Sequence, residues 1–445
     1  MQKIALILAL TFTSLLCNTS YLTAAELDLP DIGDSAAALL TPAQEQRTGA
    51  AVVRNLRRAG LIVDDPLLTD YLNQLGYRLL AQNTGSNQPQ FHFFLVNDKS
   101  INAFALPGGF IGINYGLFLA SESESELASV VAHEIAHVTQ RHYARAYDIG
   151  SQNELPMLAA LIAAIVLASQ GGELGEAAIA TVAGASARNQ INFTRQNEEE
   201  ADRIGISMLA RAGFDPEKMA NFFEKLDKES RGYGIEIPEF LRTHPVNTSR
   251  IADARSRAHQ LTPAEIQDDM SYQVMRHRIQ ALASSEKNRT ATQYRFDLQE
   301  QNAGQDKATR YGYALSLIRQ EKYAEAKKEI KQLLDTDPHR IAFLLAKADV
   351  DARAGHTAQA LATYEKALGI YPANSAITHD YVELLLKEGR YKQTETVLTQ
   401  FLKTPADNPT FYRFLAQARA KLGNQTGSHE AVSYTHLTLP TNREV

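Results

Sequence analysis

The stretch VVAHEIAHVTQRH, residues 130–142, holds two histidines four positions apart, with a glutamate directly after the first. Residues four apart lie on one face of an α-helix, so His133 and His137 can direct their imidazoles at a single ion. Two neutral imidazoles and one carboxylate suit Zn²⁺ and leave a fourth position for water. Glu134 can take a proton from that water and pass it to the leaving amine of a peptide. Since this motif alone also arises by chance, the third ligand decides the interpretation.

The acidic segment NEEEADRIG, residues 197–205, can supply that ligand. Glu198 and Asp202 are again four apart and share one face of a helix. We predict that Glu198 completes a His, His, Glu metal set and that Asp202 holds the free ring nitrogen of a ligand histidine. Glu199 and Glu200 point elsewhere and are predicted to be solvated charges. For the acidic run taken alone, a fully solvated face is the alternative.

Other side chains near the motif fit a metal less well. A metzincin would place glycine and a third histidine where this chain has Gln140 and Tyr143. His142 lies five residues after His137 and is rotated from it by roughly 140° on a helix, away from the metal. We therefore predict a structural or surface role for His142.

The elements that must position these residues are mostly helical. A possible capping box, Ser121-x-x-Glu124, begins the helix that carries the histidine motif, and the acidic segment falls in a helical region from Arg188 to Ala212. Upstream, hydrophobic spacing and β-branched or aromatic residues predict two helices and one strand, at residues 43–60, 67–82 and 91–98.

Residues 101–118 predict two short strands around the turn Pro107-Gly108-Gly109. We expect the first, from Asn102 to Leu106, to be an edge strand on which an extended peptide adds as another strand. The predicted substrate-binding residues of this strand are Asn102, Ala103, Phe104 and Ala105. A plain sheet edge is the alternative, and both can hold together.

The first 25 residues have the layout of a secretory signal, with Lys3 followed by an apolar stretch over residues 4–16. We predict cleavage near Ala25 and export of the chain. Cys17 is the only cysteine, so the mature chain must hold any metal by histidine and carboxylate.

The composition, 44% hydrophobic and 22% charged with a formal charge of -6, lacks the basic footprint of a nucleic-acid-binding protein. The apolar run over residues 155–168 is shorter than the roughly 20 residues that cross a bilayer. We expect the Ala- and Gly-rich region 155–185 to be a membrane-surface or lid element near the cleft.

From residue 307 the sequence repeats, with Gly355, Gly389 and Gly423 spaced 34 residues apart and Pro338 and Pro372 keeping the same interval. This period is typical of tetratricopeptide repeats, helix pairs whose apolar faces are buried by stacking on their neighbours. A generic helical bundle is the alternative.

These patterns predict a mainly α protein. A zincin-like metallopeptidase domain of helices and a small β-sheet is expected over residues 26–265, followed by an α-solenoid of tetratricopeptide repeats over residues 266–431. Residues 432–445 break the helical pattern and resemble a translated sequencing adapter. We therefore predict a non-native tail that truncates the last repeat.

HEIAH, the later EEEADRIG and the preceding INAFALPGGFI resemble the CAAX-prenyl-protease type of gluzincin metallopeptidases over about residues 45–255. The resemblance implies one Zn²⁺ per chain, bound by His133, His137 and Glu198, with Glu134 as the catalytic acid/base.

The segment THPVNTSRI, residues 243–251, resembles the His-Pro stretch of that family. Its His244 is expected either to stabilise the oxyanion or to cap the zinc and displace the water. The alternative is a loop histidine that caps a helix. Arg250 is a weaker candidate for transition-state contacts.

With the export signal and the repeats, the resemblance implies a periplasmic zinc endopeptidase of Gram-negative bacteria. Its expected substrates are misfolded or stalled outer-membrane proteins, and its repeats are expected to recruit them or the outer-membrane β-barrel assembly machinery. The alternative is a tetratricopeptide scaffold or chaperone whose protease site is largely latent, with His244 holding the zinc site closed.

Overall fold

The computed structural model describes residues 41–81, 89–145, 195–230, 238–261, 270–283, 287–300, 306–404 and 408–437. The predicted fold class is confirmed: helices dominate, and one small sheet lies in the N-terminal half. Within these ranges, none of the helices combines the length and apolarity needed to cross a membrane.

In the part of the chain that the structure describes, two helices precede the sheet, α1 (Pro42–Arg58) and α2 (Pro66–Leu80). Thr41 and Asp65 begin them, because each side chain accepts a hydrogen bond from a backbone N–H of the first turn. In both helices a proline follows the cap, where its missing N–H is not needed.

The sheet consists of β1 (His92–Val96), β2 (Ala103–Leu106) and β3 (Phe110–Asn114). β3 is central and pairs in parallel with β1 and antiparallel with β2. Gly108 and Gly109 make the turn between β2 and β3 with φ of +79° and +89°, a region that favours glycine. β2 is therefore an edge strand, as predicted.

Within the described ranges, the sheet is followed first by α3 (Tyr115–Ala120), α4 (Glu124–Thr139), α5 (Arg195–Arg211), α6 (Glu217–Ser230), α7 (Glu239–Thr243) and α8 (Thr248–Ala258). The predicted cap of α4 is wrong by two residues. Ser123, not Ser121, accepts a hydrogen bond from the Glu126 N–H, at 3.3 Å. Ser121 cannot cap α4 because it ends α3, where its hydroxyl donates back to the Leu117 carbonyl.

Helix α4 is buried along almost its whole length and packs against β2, β3, α2, α5 and α6. Its contact with α5 is close because Gly205 has no side chain. A Cβ at Gly205 would lie 3.3 Å from the His133 backbone nitrogen and 3.0 Å from Met219 Cε. The glycine thus lets α5 lie against the turn that carries His133.

The remaining helices of the described residues are α9 (Met270–Ala283), α10 (Lys287–Glu300), α11 (Lys307–Arg319), α12 (Tyr323–Thr336), α13 (Ile341–Arg353), α14 (Thr357–Ile370), α15 (Ser375–Lys387), α16 (Tyr391–Phe401), α17 (Pro409–Lys421) and α18 (Gln425–Leu437). From α11 onward they form the stacked pairs that the 34-residue period predicts. Gly355, Gly389 and Gly423 have φ of +81°, +70° and +82° between the two helices of a pair. Glu321 occupies the equivalent position in the preceding repeat and has the same left-handed conformation, with φ of +62°, although it is not a glycine.

Helix α2 also contacts α15, and one hydrophobic core continues from the N-terminal helices into the repeats. Two polar contacts tie this junction together. The Arg278 guanidinium donates to the Asp65 carboxylate at 2.8 and 2.9 Å, and the Ser375 hydroxyl donates to the Asp70 carboxylate at 2.6 Å. Asp65 therefore caps α2 and also pairs with the first helix of the C-terminal half.

Several expectations concern residues outside the described ranges: the signal over residues 1–25, the membrane-surface region 155–185, and residues 438–445 of the tail. Where the tail begins, the predicted break in helicity is wrong. Helix α18 runs through Val432 to Leu437, because neither proline nor glycine occurs in that stretch and Pro440 comes only afterwards.

We expect Gly205→Leu to lower the free energy of unfolding by about 1–3 kcal/mol, because the added atoms meet the backbone of α4. The control is Gly369→Leu at an exposed position near the end of α14, where an added Cβ has open space. Urea unfolding should show the control as stable as the wild type or slightly more stable. Equal stability of the two variants would contradict the close packing of α4 and α5.

Candidate active site

His133 and His137 lie one turn apart on α4, with their Nε2 atoms 3.0 Å apart. Both side chains are fully buried, and so is Glu134 between them in sequence. The helical spacing alone thus aims the two imidazoles at a common point, as the sequence predicts.

Glu198, in the first turn of α5, reaches the same point. Its carboxylate oxygens lie 3.4 Å from His133 Nε2 and 3.5 Å from His137 Nε2. The structure therefore brings together the three side chains predicted as metal ligands, although two of them are far from the third along the chain.

His244, in the loop between α7 and α8, supplies a fourth donor. Its Nδ1 lies 3.0 Å from Glu198 Oε1 and 3.3 Å from His133 Nε2. Its Nε2 lies 3.4 Å from Glu134 Oε1, and its ring stacks on Phe240 with centroids 4.9 Å apart. The loop histidine thus lies between the predicted ligands and the predicted acid/base.

These four side chains fit a metal ion by their spacing. In a tetrahedral site with bonds of about 2.0–2.1 Å, neighbouring donor atoms are about 3.3 Å apart. The donors of His133, His137, Glu198 and His244 all lie within 4.8 Å of one another. In addition, Glu134 Oε1 is buried and has no hydrogen-bond partner among the described residues. A buried carboxylate oxygen facing such a cluster is suited to a water or a cation.

The charges of the centre also favour a cation. Burial lowers the pKa of His133, but hydrogen bonds to Asp202 and Glu198 outweigh it and raise the pKa to about 10. Burial raises the pKa of Glu198, and the nearby His244 and His133 outweigh it and lower the pKa. Burial lowers the pKa of His137. The surroundings of Glu198 thus favour its ionised carboxylate with a positive charge next to it.

Burial also raises the pKa of Glu134, although His244 and His133 partly offset the effect. A carboxylate whose pKa moves toward neutrality is better suited to accept and return a proton than one at its ordinary pKa. The raised pKa therefore agrees with the acid/base role that the sequence predicts for Glu134.

Asp202 lies one turn after Glu198, beside the His133 ring. Its Oδ1 is 3.0 Å from His133 Nδ1, the ring nitrogen opposite the donor cluster. Arg250, on α8, donates two hydrogen bonds to the Asp202 carboxylate at 2.7 and 2.8 Å. Burial alone would raise the pKa of Asp202, but its hydrogen bonds with His133 and Arg250 outweigh burial and lower this pKa.

Arg250 is buried as well, with 2% of its surface exposed. Besides Asp202, its guanidinium lies 3.0 Å from the Glu198 carboxylate and donates to the Pro245 carbonyl at 2.7 Å. In this conformation Arg250 therefore holds two acids of α5 and the His244 loop together.

Of the two roles predicted for His142, the surface one is wrong: the side chain is fully buried. Its Nδ1 lies 2.8 Å from His137 Nδ1, and its Nε2 lies 3.2 Å from Glu200 Oε2. The prediction assumes that the helix continues to His142, about 140° around from His137. Instead α4 ends at Thr139, and Arg141 adopts φ of +50°, which turns the chain back. Glu200, predicted to be simply solvated, instead accepts from His142 and from Arg145.

The edge strand β2 lies directly beside the centre. The Ala105 N–H donates to the Glu134 carboxylate, and the Ala105 carbonyl accepts a hydrogen bond from the Tyr143 hydroxyl. Asn102 instead bonds inward, its carbonyl accepting from the Asn114 N–H of β3. Because backbone groups alternate along a strand, Ala103 and Ala105 face the free edge and Phe104 pairs with β3. No sequence pattern predicts that Tyr143 contacts this strand.

This site, carried by helices beside an edge strand and followed by helical repeats, defines a metallopeptidase with a C-terminal repeat array. The sequence profile of peptidase family M48 matches residues 66–258, and that of a tetratricopeptide repeat matches residues 351–418. The chain belongs to peptidase family M48, together with the β-barrel assembly-enhancing proteases.

The chain is similar to the β-barrel assembly-enhancing protease of Escherichia coli K12, at 37% identity over 398 residues that cover 89% of this chain and 81% of that protein. The protein of the same name from Yersinia pestis is 38% identical over 398 residues, with 89% and 81% covered. The mitochondrial metalloendopeptidase OMA1 of Saccharomyces cerevisiae is 33% identical over 175 residues, which cover 36% of this chain and 45% of that protein. The similarity to the first two thus includes the repeats as well as the peptidase region.

We expect Arg250→Met to lower the free energy of unfolding by about 3–5 kcal/mol, because Asp202 and Glu198 lose a buried cation. Arg257→Met on the same helix is the control. Arg257 pairs with Asp253 at the surface, both being more than 40% exposed, and such a pair contributes about 1 kcal/mol or less. Urea unfolding of the metal-free chains should separate the two variants, and similar losses would contradict a buried role for Arg250.

Proposed function

We propose that this protein is a zinc endopeptidase that acts on envelope proteins of Gram-negative bacteria. The proposal depends mainly on one observation, the convergence of His133, His137 and Glu198 beside the buried Glu134. Three nitrogen and oxygen donors without thiolate, with a fourth position that a loop histidine reaches, suit a catalytic zinc site. His133, His137 and Glu198 are the proposed ligands of one zinc ion per chain.

Zinc bound there would polarise the scissile carbonyl and activate a water. The protein groups then have separate tasks. Glu134 accepts the proton of the water and returns it to the leaving amine, for which its raised pKa is suited. Asp202 keeps the Nδ1 proton of His133 in place, and Arg250 keeps Asp202 and Glu198 charged and fixed.

Peptide binding is proposed at the free edge of β2. The outward backbone groups of Ala103 can pair with an extended chain, and the Ala105 carbonyl can do so once the Tyr143 hydroxyl moves away, while Asn102 and Phe104 pair with β3. Because Ala105 also contacts Glu134, a peptide on this edge would place its carbonyl next to the proposed acid/base. Pairing with β2 binds the backbone of the substrate peptide whatever its sequence. Any preference for particular substrate residues must come from side chains around the strand.

The site is closed in this conformation, which supports a low resting activity. His244 occupies the fourth donor position, and the Tyr143 hydroxyl donates a hydrogen bond to the Ala105 carbonyl. Both groups must move before a peptide and a water can enter. We therefore propose that His244 is a cap at rest. The same closure favours, as a second candidate, a tetratricopeptide scaffold or chaperone whose protease is largely latent.

The name of the E. coli and Yersinia relatives supports a role in β-barrel assembly. We propose that substrates are misfolded or stalled outer-membrane proteins in the periplasm, and that the repeats bind them or the β-barrel assembly machinery. The proposed mature chain begins near Ala25, with the peptidase over residues 26–265 and the repeats over 266–431. Region 155–185 is proposed to contact the membrane surface.

Glu134→Gln is expected to keep bound zinc and to lose casein cleavage by at least about a hundredfold, because the acid/base is removed and the ligands stay. His137→Ala should lose both zinc and cleavage. Metal analysis and casein hydrolysis of the full chain measure the two effects. If Glu134→Gln still cleaves casein, the enzymatic proposal fails; if it fully restores outer-membrane protein maturation in cells, the scaffold is the main function.

His244→Ala is expected to raise basal casein cleavage several-fold, because the fourth position is then open to water. His259→Ala, an exposed histidine paired with Glu217 on α6, is the control and should match the wild type. Initial rates at equal zinc loading are the measurement. A fall in rate for His244→Ala would refute the cap and assign this residue to stabilisation of the transition state.

A further inference from the structure

The two histidines of α4 are held differently at the nitrogen that faces away from the donor cluster. His133 Nδ1 meets a carboxylate directly, Asp202 at 3.0 Å. His137 Nδ1 meets another imidazole, His142 Nδ1, at 2.8 Å. Beyond it, His142 Nε2 lies 3.2 Å from the carboxylate of Glu200. On the Nδ1 side of its ring, His137 therefore reaches the Glu200 carboxylate through a second histidine.

The protons of this chain of groups can be assigned from its contacts. Two ring nitrogens at hydrogen-bond distance need one proton between them. If His137 uses the lone pair of Nε2 for a metal, its proton lies on Nδ1 and is donated to His142. His142 then accepts at Nδ1 and carries its own proton on Nε2, which faces Glu200. Every donor along the path meets an acceptor, so the arrangement is consistent with a metal-facing His137.

The path ends at a fixed charge. Glu200 Oε2 also accepts from Arg145 Nη1 at 2.9 Å, so the last carboxylate of the path is paired with a cation as well as with His142. His142 itself is fully buried, which holds its ring in one place between His137 and Glu200. Helix α5 thereby contributes three acids to the centre: Glu198 beside both imidazoles, Asp202 behind His133 and Glu200 behind His142.

We infer that His142 and Glu200 form a positioning relay for His137, fixing the orientation and proton of its ring for metal binding. This inference rests on the zinc site of the proposed function. Neither residue touches the reacting atoms, so they are positioning residues and act only through His137. Partners of this kind change metal affinity by about 10–100-fold when they are removed.

The test compares variants that remove different parts of the relay in the full chain. His142→Phe keeps a ring but offers His137 no acceptor. His142→Asn can place an oxygen near the position of Nδ1 and so keeps the acceptor while losing the contact with Glu200. Glu200→Gln removes only the final charge. Glu199→Gln, an exposed neighbour paired with Arg195, is the matched control.

Zinc affinity is measured by competition with a chromophoric chelator, and geometry by the visible spectrum of the Co²⁺-substituted chain. We expect a loss of zinc affinity of about 10–100-fold for His142→Phe, a smaller loss for His142→Asn and Glu200→Gln, and none for Glu199→Gln. The Co²⁺ spectrum of His142→Phe should differ from that of the wild type and be partly restored in His142→Asn.

Thermal unfolding of the metal-free chains separates positioning from packing. A lower melting temperature of His142→Phe with unchanged zinc affinity and Co²⁺ spectrum would overturn the relay and leave a packing role. Equal losses of zinc affinity in Glu200→Gln and Glu199→Gln would overturn the relay as well. If the wild type binds neither zinc nor cobalt, the proposed metal site fails first and the relay with it.

Discussion

The close approach of α5 to α4 is the contact on which the rest of the site depends. It puts Glu198 within 3.5 Å of both imidazoles, and it is possible because Gly205 leaves room for the backbone at His133. Helix α4 is buried along almost its whole length, and α5 buries the face that carries Glu198 and Asp202. Burial strengthens the pairing of opposite charges and makes any unpaired charge costly, so the centre must be electrically matched.

That matching explains why so many ionisable groups are buried together. The acids Glu198 and Asp202 are offset by Arg250, and their contacts with His133 outweigh burial and raise the pKa of His133, which favours its positively charged form. Glu134 stands apart, because burial raises its pKa and its Oε1 has no hydrogen-bond partner among the described residues. One group is thus left poised for proton transfer while its neighbours are held charged.

Much of this was predictable from sequence because the residues involved lie on regular helices. The spacing of His133 and His137, and of Glu198 and Asp202, fixes which side chains share a face, and the repeat period fixes the C-terminal half. Where helices end, the spacing no longer applies. His142 follows the left-handed backbone of Arg141, and the contact between Ala105 and Glu134 depends on tertiary packing, so neither position could be read from periodicity.

Helix α2 lies between the two halves of the molecule. One side of it packs on α4, which carries the histidines, and another contacts α15 of the array, with Asp65 and Asp70 bonded to Arg278 and Ser375. Helix α4, which carries the histidines, and helix α15 of the repeats are therefore both in contact with α2. A displacement of α15 would therefore act on the same helix that packs against α4, the helix that carries His133 and His137.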